Sequence, residues 1–79
     1  MQLQQAVSIR LSQLLQEKRM TQYQLFIKTG VPKSTIHNVI HGNYHTIKLS
    51  ILYEICQGLG VGLEDFFACS LFDEENLEP

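Results

Sequence analysis

The sequence predicts an all-α domain of five helices, and three observations carry that prediction. Apolar residues recur at three- and four-residue intervals through successive segments, the spacing that lines one face of a helix. Glycines fall at the ends of these segments and Pro32 at the start of one, the positions each residue favours. The 79 residues allow one domain, and a chain this short buries a smaller fraction of its surface than a longer one, so its core must come from closely packed helices. Residues 1–72 read as that domain, and 73–79 as an acidic tail with too little apolar surface to fold, expected to be disordered.

The first amphipathic segment, Gln5 to Arg19, places Val7, Leu11, Leu14 and Leu15 on one side and Ser8, Ser12, Gln13 and Gln16 on the other. The second has a complete start signal: Thr21 to cap, Gln24 three residues on to reach back, and Met20 with Leu25 as a staple. It therefore begins at Gln22. It ends early, because Gly30 can take a positive φ and Pro32 follows, which leaves a turn at about Thr29 to Val31. The third runs from Pro32 to His41, with Ile36, Val39 and Ile40 on one face and Lys33, Ser34, His37, Asn38 and His41 on the other.

A polar turn then leads from Gly42 to Ile47. The fourth helix starts at Ile47 or Lys48, with Thr46 as the best available cap, carries a wide apolar stripe through Leu59, and is closed by Gly58 and Gly60. The fifth spans Leu63 to about Cys69, with Glu64 and Asp65 where the helix dipole favours negative charge. Adjacent phenylalanines cannot both face one centre. One of Phe66, Phe67, Leu71 and Phe72 is thus left for a partner subunit.

The net charge of −2 hides a strong asymmetry. Met1 to Tyr53 carries Arg10, Lys18, Arg19, Lys28, Lys33 and Lys48 against Glu17 alone, for +5, whereas Glu54 to Pro79 carries seven acids and no base, for −7. A field focused on one face can steer a polyanion even when the total is slightly negative. Cys56 and Cys69, with no C-x-x-C pair and no secretory segment, point to reduced thiols in a cytoplasmic protein. No apolar run reaches transmembrane length, so no membrane partner is expected.

Thr21-Gln22-Tyr23-Gln24-Leu25, Gly30-Val31 and Ser34-Thr35-Ile36, in this order and spacing, resemble the helix-turn-helix of Cro and repressor-type (XRE-like, lambda-repressor-like) transcription factors. The resemblance extends from about Val7 to Phe67. It implies a compact five-helix DNA-binding domain and a sequence-specific transcriptional regulator, a repressor, with helix 32–41 in the major groove of double-stranded DNA. It assigns base reading to Lys33, Ser34 and Asn38, with His37 beside them. Their chemistry suits the task, since lysine can donate to guanine O6 and N7 and asparagine can pair with adenine N6 and N7. The same resemblance puts Gln22 and the loop residues Asn43 and Tyr44 against the DNA backbone, and Thr21, Arg10 and Lys48 are read beside them as further backbone contacts. It also implies a homodimer on a two-fold operator, for which the apolar surplus offers Phe67, Leu71 and Phe72 as the contact.

Two positions depart from the family pattern. Relatives commonly carry a small residue after the helix 2 leucine, where Phe26 stands here, so either the helices spread or the ring points away. Several also join helix 1 to helix 3 by an arginine and a glutamate, replaced here by Leu15 and Ile40, an apolar exchange that need not lower stability.

A second reading is a protein-interaction module, such as the antitoxin of a toxin pair, binding a toxin through its phenylalanines and acidic tail. No catalytic set is present: no nucleophile elbow, no phosphate-cradling glycine loop, no paired carboxylates, so an enzyme is not expected and no cofactor is implied. His37, His41 and His45 are spaced by four, a geometry that can hold zinc on a helix. The glutamate that a zincin needs after the first histidine is Asn38, and the three read more simply as polar contacts than as a metal site.

Overall fold

The computed structural model describes residues 1–78. Five α-helices follow in order: α1 (Leu3–Glu17), α2 (Gln22–Thr29), α3 (Lys33–His41), α4 (Leu49–Leu59) and α5 (Leu63–Phe67), and two single 3-10 turns, Ser70–Phe72 and Glu74–Asn76, complete the chain. The all-α, five-helix prediction holds. α1 packs on α3, α2 on both α3 and α4, and the first 3-10 turn returns to α1. Leu11, Leu25, Ile36, Ile55 and Phe66, one from each helix, are fully buried at the centre, so the helices share one core. Leu15 and Ile40 both join it, Ile40 at its edge, where the Ser8 hydroxyl also donates to the Ile40 carbonyl.

Several boundaries differ from the sequence reading, each for a local reason. α1 ends at Glu17 because Arg19 adopts a left-handed backbone (φ 53), and the Met20 amide closes the turn on Leu15 O at 2.9 Å. α4 starts at Leu49 with Lys48, not Thr46, at the N-cap, and no side chain caps it. α5 stops at Phe67 rather than Cys69, because the chain turns extended at Cys69 before the 3-10 turn.

The acidic segment expected to be disordered is instead folded back in the described residues. The Met1 ammonium donates to Asn76 O at 2.7 Å, the Glu78 amide donates to Met1 O at 2.8 Å, and the Asn76 side chain donates to Ser70 O at 2.6 Å. The two bonds with Met1 join opposite ends of the chain, while the one to Ser70 is local. Composition is blind to them. Pro79 lies outside the described residues.

Gly58 does not terminate α4; Gly60 does, at φ 75, and Gly58 sits inside the helix where α2 crosses it. A Cβ there would overlap Thr29 Cγ2 and stand 2.9 Å from Leu25 Cδ1. Thr29 cannot rotate aside freely, because its hydroxyl donates to Leu25 O at 2.8 Å and accepts from the Val31 amide at 3.1 Å. Cys56, beside it in α4, is buried, and burial pushes its thiol up to about 11, which marks it as a packing residue.

Alanine at position 58 improves helix propensity by about 1 kcal/mol, while overpacking a fitted crossing costs about 1 to 3 kcal/mol. The overlap falls on a locked side chain, so the second effect should win. Gly58→Ala is expected to lower stability by up to about 2 kcal/mol net. Chemical denaturation measures it; a variant more stable than the parent would mean that α2 and α4 are not held at this distance.

Candidate nucleic-acid interface

The turn between α2 and α3 is fixed from both sides. Gly30 takes φ 72 and donates to Phe26 O at 2.8 Å, a left-handed cap that residues with a Cβ adopt only at a cost. Val31, next in line, is buried and anchors the turn to the core. At its other end α2 has the reciprocal cap that the sequence indicated: the Gln24 amide donates to Thr21 Oγ1 at 3.1 Å and the Thr21 amide to Gln24 Oε1 at 2.9 Å. Thr21 is therefore engaged in capping, while Gln22, the first helical residue, is left exposed.

Along α3 the two faces separate as the period requires. Lys33, Ser34, His37 and Asn38 are exposed, Ile36 and Val39 are buried, and Ile40 is half-buried. The base-reading candidates thus share one accessible stripe. Lys33 is also positioned by residues that the sequence reading had not linked to it: its Nζ lies 5.0 Å from the Tyr23 ring centre and 5.2 Å from that of Phe26, over two rings 6.2 Å apart. Phe26 is half-buried at the edge of the core. Its ring reaches Tyr23 and Lys33 instead of forcing α2 from α3. The i, i+3 spacing of Tyr23 and Phe26 is the signal from which the pair could have been found.

The loop after α3 stays close to its end. The Asn43 amide donates to Asn38 O at 2.9 Å, leaving the Asn43 side chain exposed. Tyr44 is half-buried, its hydroxyl 3.5 Å from Gln4 O, and burial raises its phenol above the ordinary value. The ring is seated on α1, and only its rim faces outward. Lys48 is exposed at the uncapped start of α4, where first-turn amides point out toward solvent. From Lys18 to Tyr53 there are five bases and no acid, so the segment that carries the stripe has a positive balance that favours phosphate.

Arg10, expected against the DNA backbone, has other partners in the free protein. Its Nε donates to Phe66 O and its Nη2 to Asp65 O, both at 2.7 Å, so the guanidinium closes the C-terminus of α5. The apolar surplus is also smaller than expected. Phe72 is half-buried and packs against Phe66 and Phe67, with ring centres 6.1 and 4.8 Å away, Leu71 is half-buried, and Phe67 is 37% exposed.

A short capped helix, a glycine turn and a second helix with one buried and one polar face define a helix-turn-helix DNA-binding protein. The model of the Cro/C1-type HTH DNA-binding domain family matches residues 10–70, and the chain belongs to that family. Among solved structures, the fold is similar to the crystal structure of the prophage Lp1 protein 11, with a TM-score of 0.79 and 23% identity over 94% of this chain and 99% of that one. No match to a curated protein was found. Among the described residues no helix is long and apolar enough to cross a membrane.

The two roles for Arg10 make opposite predictions. If it closes α5, Arg10→Ala should lower stability by about 1.5 to 3 kcal/mol, the range for hydrogen bonds from a charged donor, and leave the salt dependence of DNA affinity unchanged. A phosphate contact would instead reduce the slope of log K against log salt by about one. Denaturation and binding at several salt concentrations separate them.

Proposed function

We propose that the chain is a sequence-specific transcriptional repressor that binds double-stranded DNA as a homodimer, with α3 in the major groove of each half-site. The observation that carries this reading is the single exposed stripe of Lys33, Ser34, His37 and Asn38 on a helix whose opposite face is locked into the core. On this reading those four read base edges. Gln22, Asn43, Lys48 and the rim of Tyr44 hold the backbone, with Thr21 contributing the cap that sets Gln22 in place. Repression follows from occupancy, since a bound dimer denies polymerase the same DNA.

The reading as a toxin-binding module has less support. It depended on a free phenylalanine cluster and a free acidic tail, and Phe66 is buried, Phe72 is turned inward and the acidic segment is hydrogen-bonded to the N-terminus.

Base and backbone roles separate by the pattern of loss. Asn38→Ala should cost about 1 to 3 kcal/mol and relax preference at one operator position, as for a lost bidentate base contact, whereas Gln22→Ala should weaken all sequences alike. Affinities for a set of single-base operator variants test both. A uniform loss for Asn38→Ala would make it a backbone contact.

The homodimer is proposed at Phe67, flanked by Leu71 and Phe72. Phe67 also borders an apolar groove of about 310 Å³ whose other walls include Leu3, Val7, Leu49 and Leu52, and Leu3 and Leu49 are exposed there. Phe67→Ser should weaken self-association, and because the ring also packs edge-on against Phe66 and Phe72 the variant's stability is measured alongside. Sedimentation at micromolar concentration reads the result; unchanged association would remove this surface as the contact.

A further inference from the structure

We propose that His37 and His41 form a two-histidine site for a divalent transition-metal ion, and that this ion competes with DNA for α3; the competition rests on the reading of α3 as the recognition helix. The residues are one helical turn apart and both exposed, and their ring centres lie 4.2 Å from each other with the planes tilted by 50°. Metal-to-imidazole bonds are about 2.0 to 2.1 Å, so two nitrogens sharing an ion stand roughly 3 to 3.5 Å apart. Rings this close reach that spacing by small rotations about χ1 and the soft χ2, which also open the ring centres slightly. α3 holds both Cα atoms rigidly, so little chain entropy is lost.

The surrounding segment is basic, so a cation is held here by its bonds to the imidazole nitrogens and not by the field. Lys33 lies one turn before His37 on the same stripe, and its ammonium rests against the Tyr23 and Phe26 rings in the free protein, a contact that biases it away from the pair without removing its charge. Among the described residues no third histidine, cysteine or carboxylate joins the pair to complete a larger metal group. Water fills the remaining positions. The site therefore selects by ligand type: imidazole suits zinc, nickel and copper, whereas magnesium and calcium want oxygen donors. The glutamate absent after His37 is a catalytic base and is not needed for binding alone.

An ion with its waters on His37 and His41 sits at the C-terminal end of the base-reading stripe and takes up His37 itself. A duplex cannot enter the same space, so metal lowers DNA affinity and DNA lowers metal affinity by the same factor.

The test is a titration of the full chain with Zn²⁺, followed through the ring C–H resonances of its three histidines. Reading the rings keeps the Cys69 thiol out of the result. His37 and His41 should shift together and saturably, His45 should not, Mg²⁺ should do nothing, and EDTA should restore the spectrum. His37→Gln and His41→Gln should each abolish the response of the remaining ring. If the two rings move independently, or if either variant keeps the response, there is no shared site. DNA affinity is then measured with and without Zn²⁺: it should fall for the parent chain and hold for His41→Gln. Joint ring shifts with unchanged DNA affinity would overturn the competition. A chain that binds no DNA under any condition would overturn the repressor reading and the competition with it, while the ring shifts decide the site by themselves.

Discussion

The Thr29 hydroxyl donates to Leu25 O and accepts from the Val31 amide while its methyl lies against Gly58, so one side chain ties the end of α2, the turn and α4 together. Rotating it would leave the partly buried Val31 amide without a partner, at a cost of about 1 to 3 kcal/mol. A threonine suits the position because its stiff χ1 and its bond to the carbonyl four residues back reinforce each other. The direction of α3 depends on this knot. With Val31 fixed and Gly30 in the left-handed region, the chain leaves the turn along one path, and Ile36 and Val39 then enter the core while Asn38 stays outside it.

The parts legible in the sequence were those decided by near neighbours. The cap at Thr21 and Gln24, the stop at Gly30 and the two faces of α3 each follow from residues within one or two turns, and all stand as read. The parts that were not legible depend on distant partners. Arg10 finds carbonyls of Asp65 and Phe66, more than fifty positions away, and nothing in the local pattern of α1 marks it apart from a phosphate-facing arginine. Gly58 looked like a terminator because a helix-ending glycine and a helix-crossing glycine are the same letter. Only the Thr29 methyl opposite distinguishes them. The acidic segment belongs with these distant pairings, since its bonds with Met1 join opposite ends of the chain.

Phe26 shows how a departure from a family pattern can be absorbed. A large ring between two helices would force them apart if it pointed at the crossing, but at the rim it acquires Tyr23 as a neighbour and Lys33 as a cation over its face. A cation near an aromatic face gains about 0.5 to 1 kcal/mol at an exposed site. That is too little to order a helix, yet enough to bias one flexible side chain. The departure thus bears on where a lysine points more than on the fold.

Losing Arg10 to α5 leaves few cations for phosphate, and the starts of α3 and α4 bear on what replaces it. Both N-caps, Pro32 and Lys48, lack a side-chain acceptor, and each of these helix starts carries a lysine, Lys33 and Lys48 respectively. A positive side chain beside the positive end of a helix dipole is unfavourable in the free protein. An anion relieves both at once, since it accepts from the open amides and pairs with the lysine. On the proposed reading, DNA binding draws on these two strained helix starts as well as on net charge. A chain that is acidic overall can then hold phosphate, because the acids lie outside the segment from Lys18 to Tyr53 and within it the backbone supplies part of the positive field.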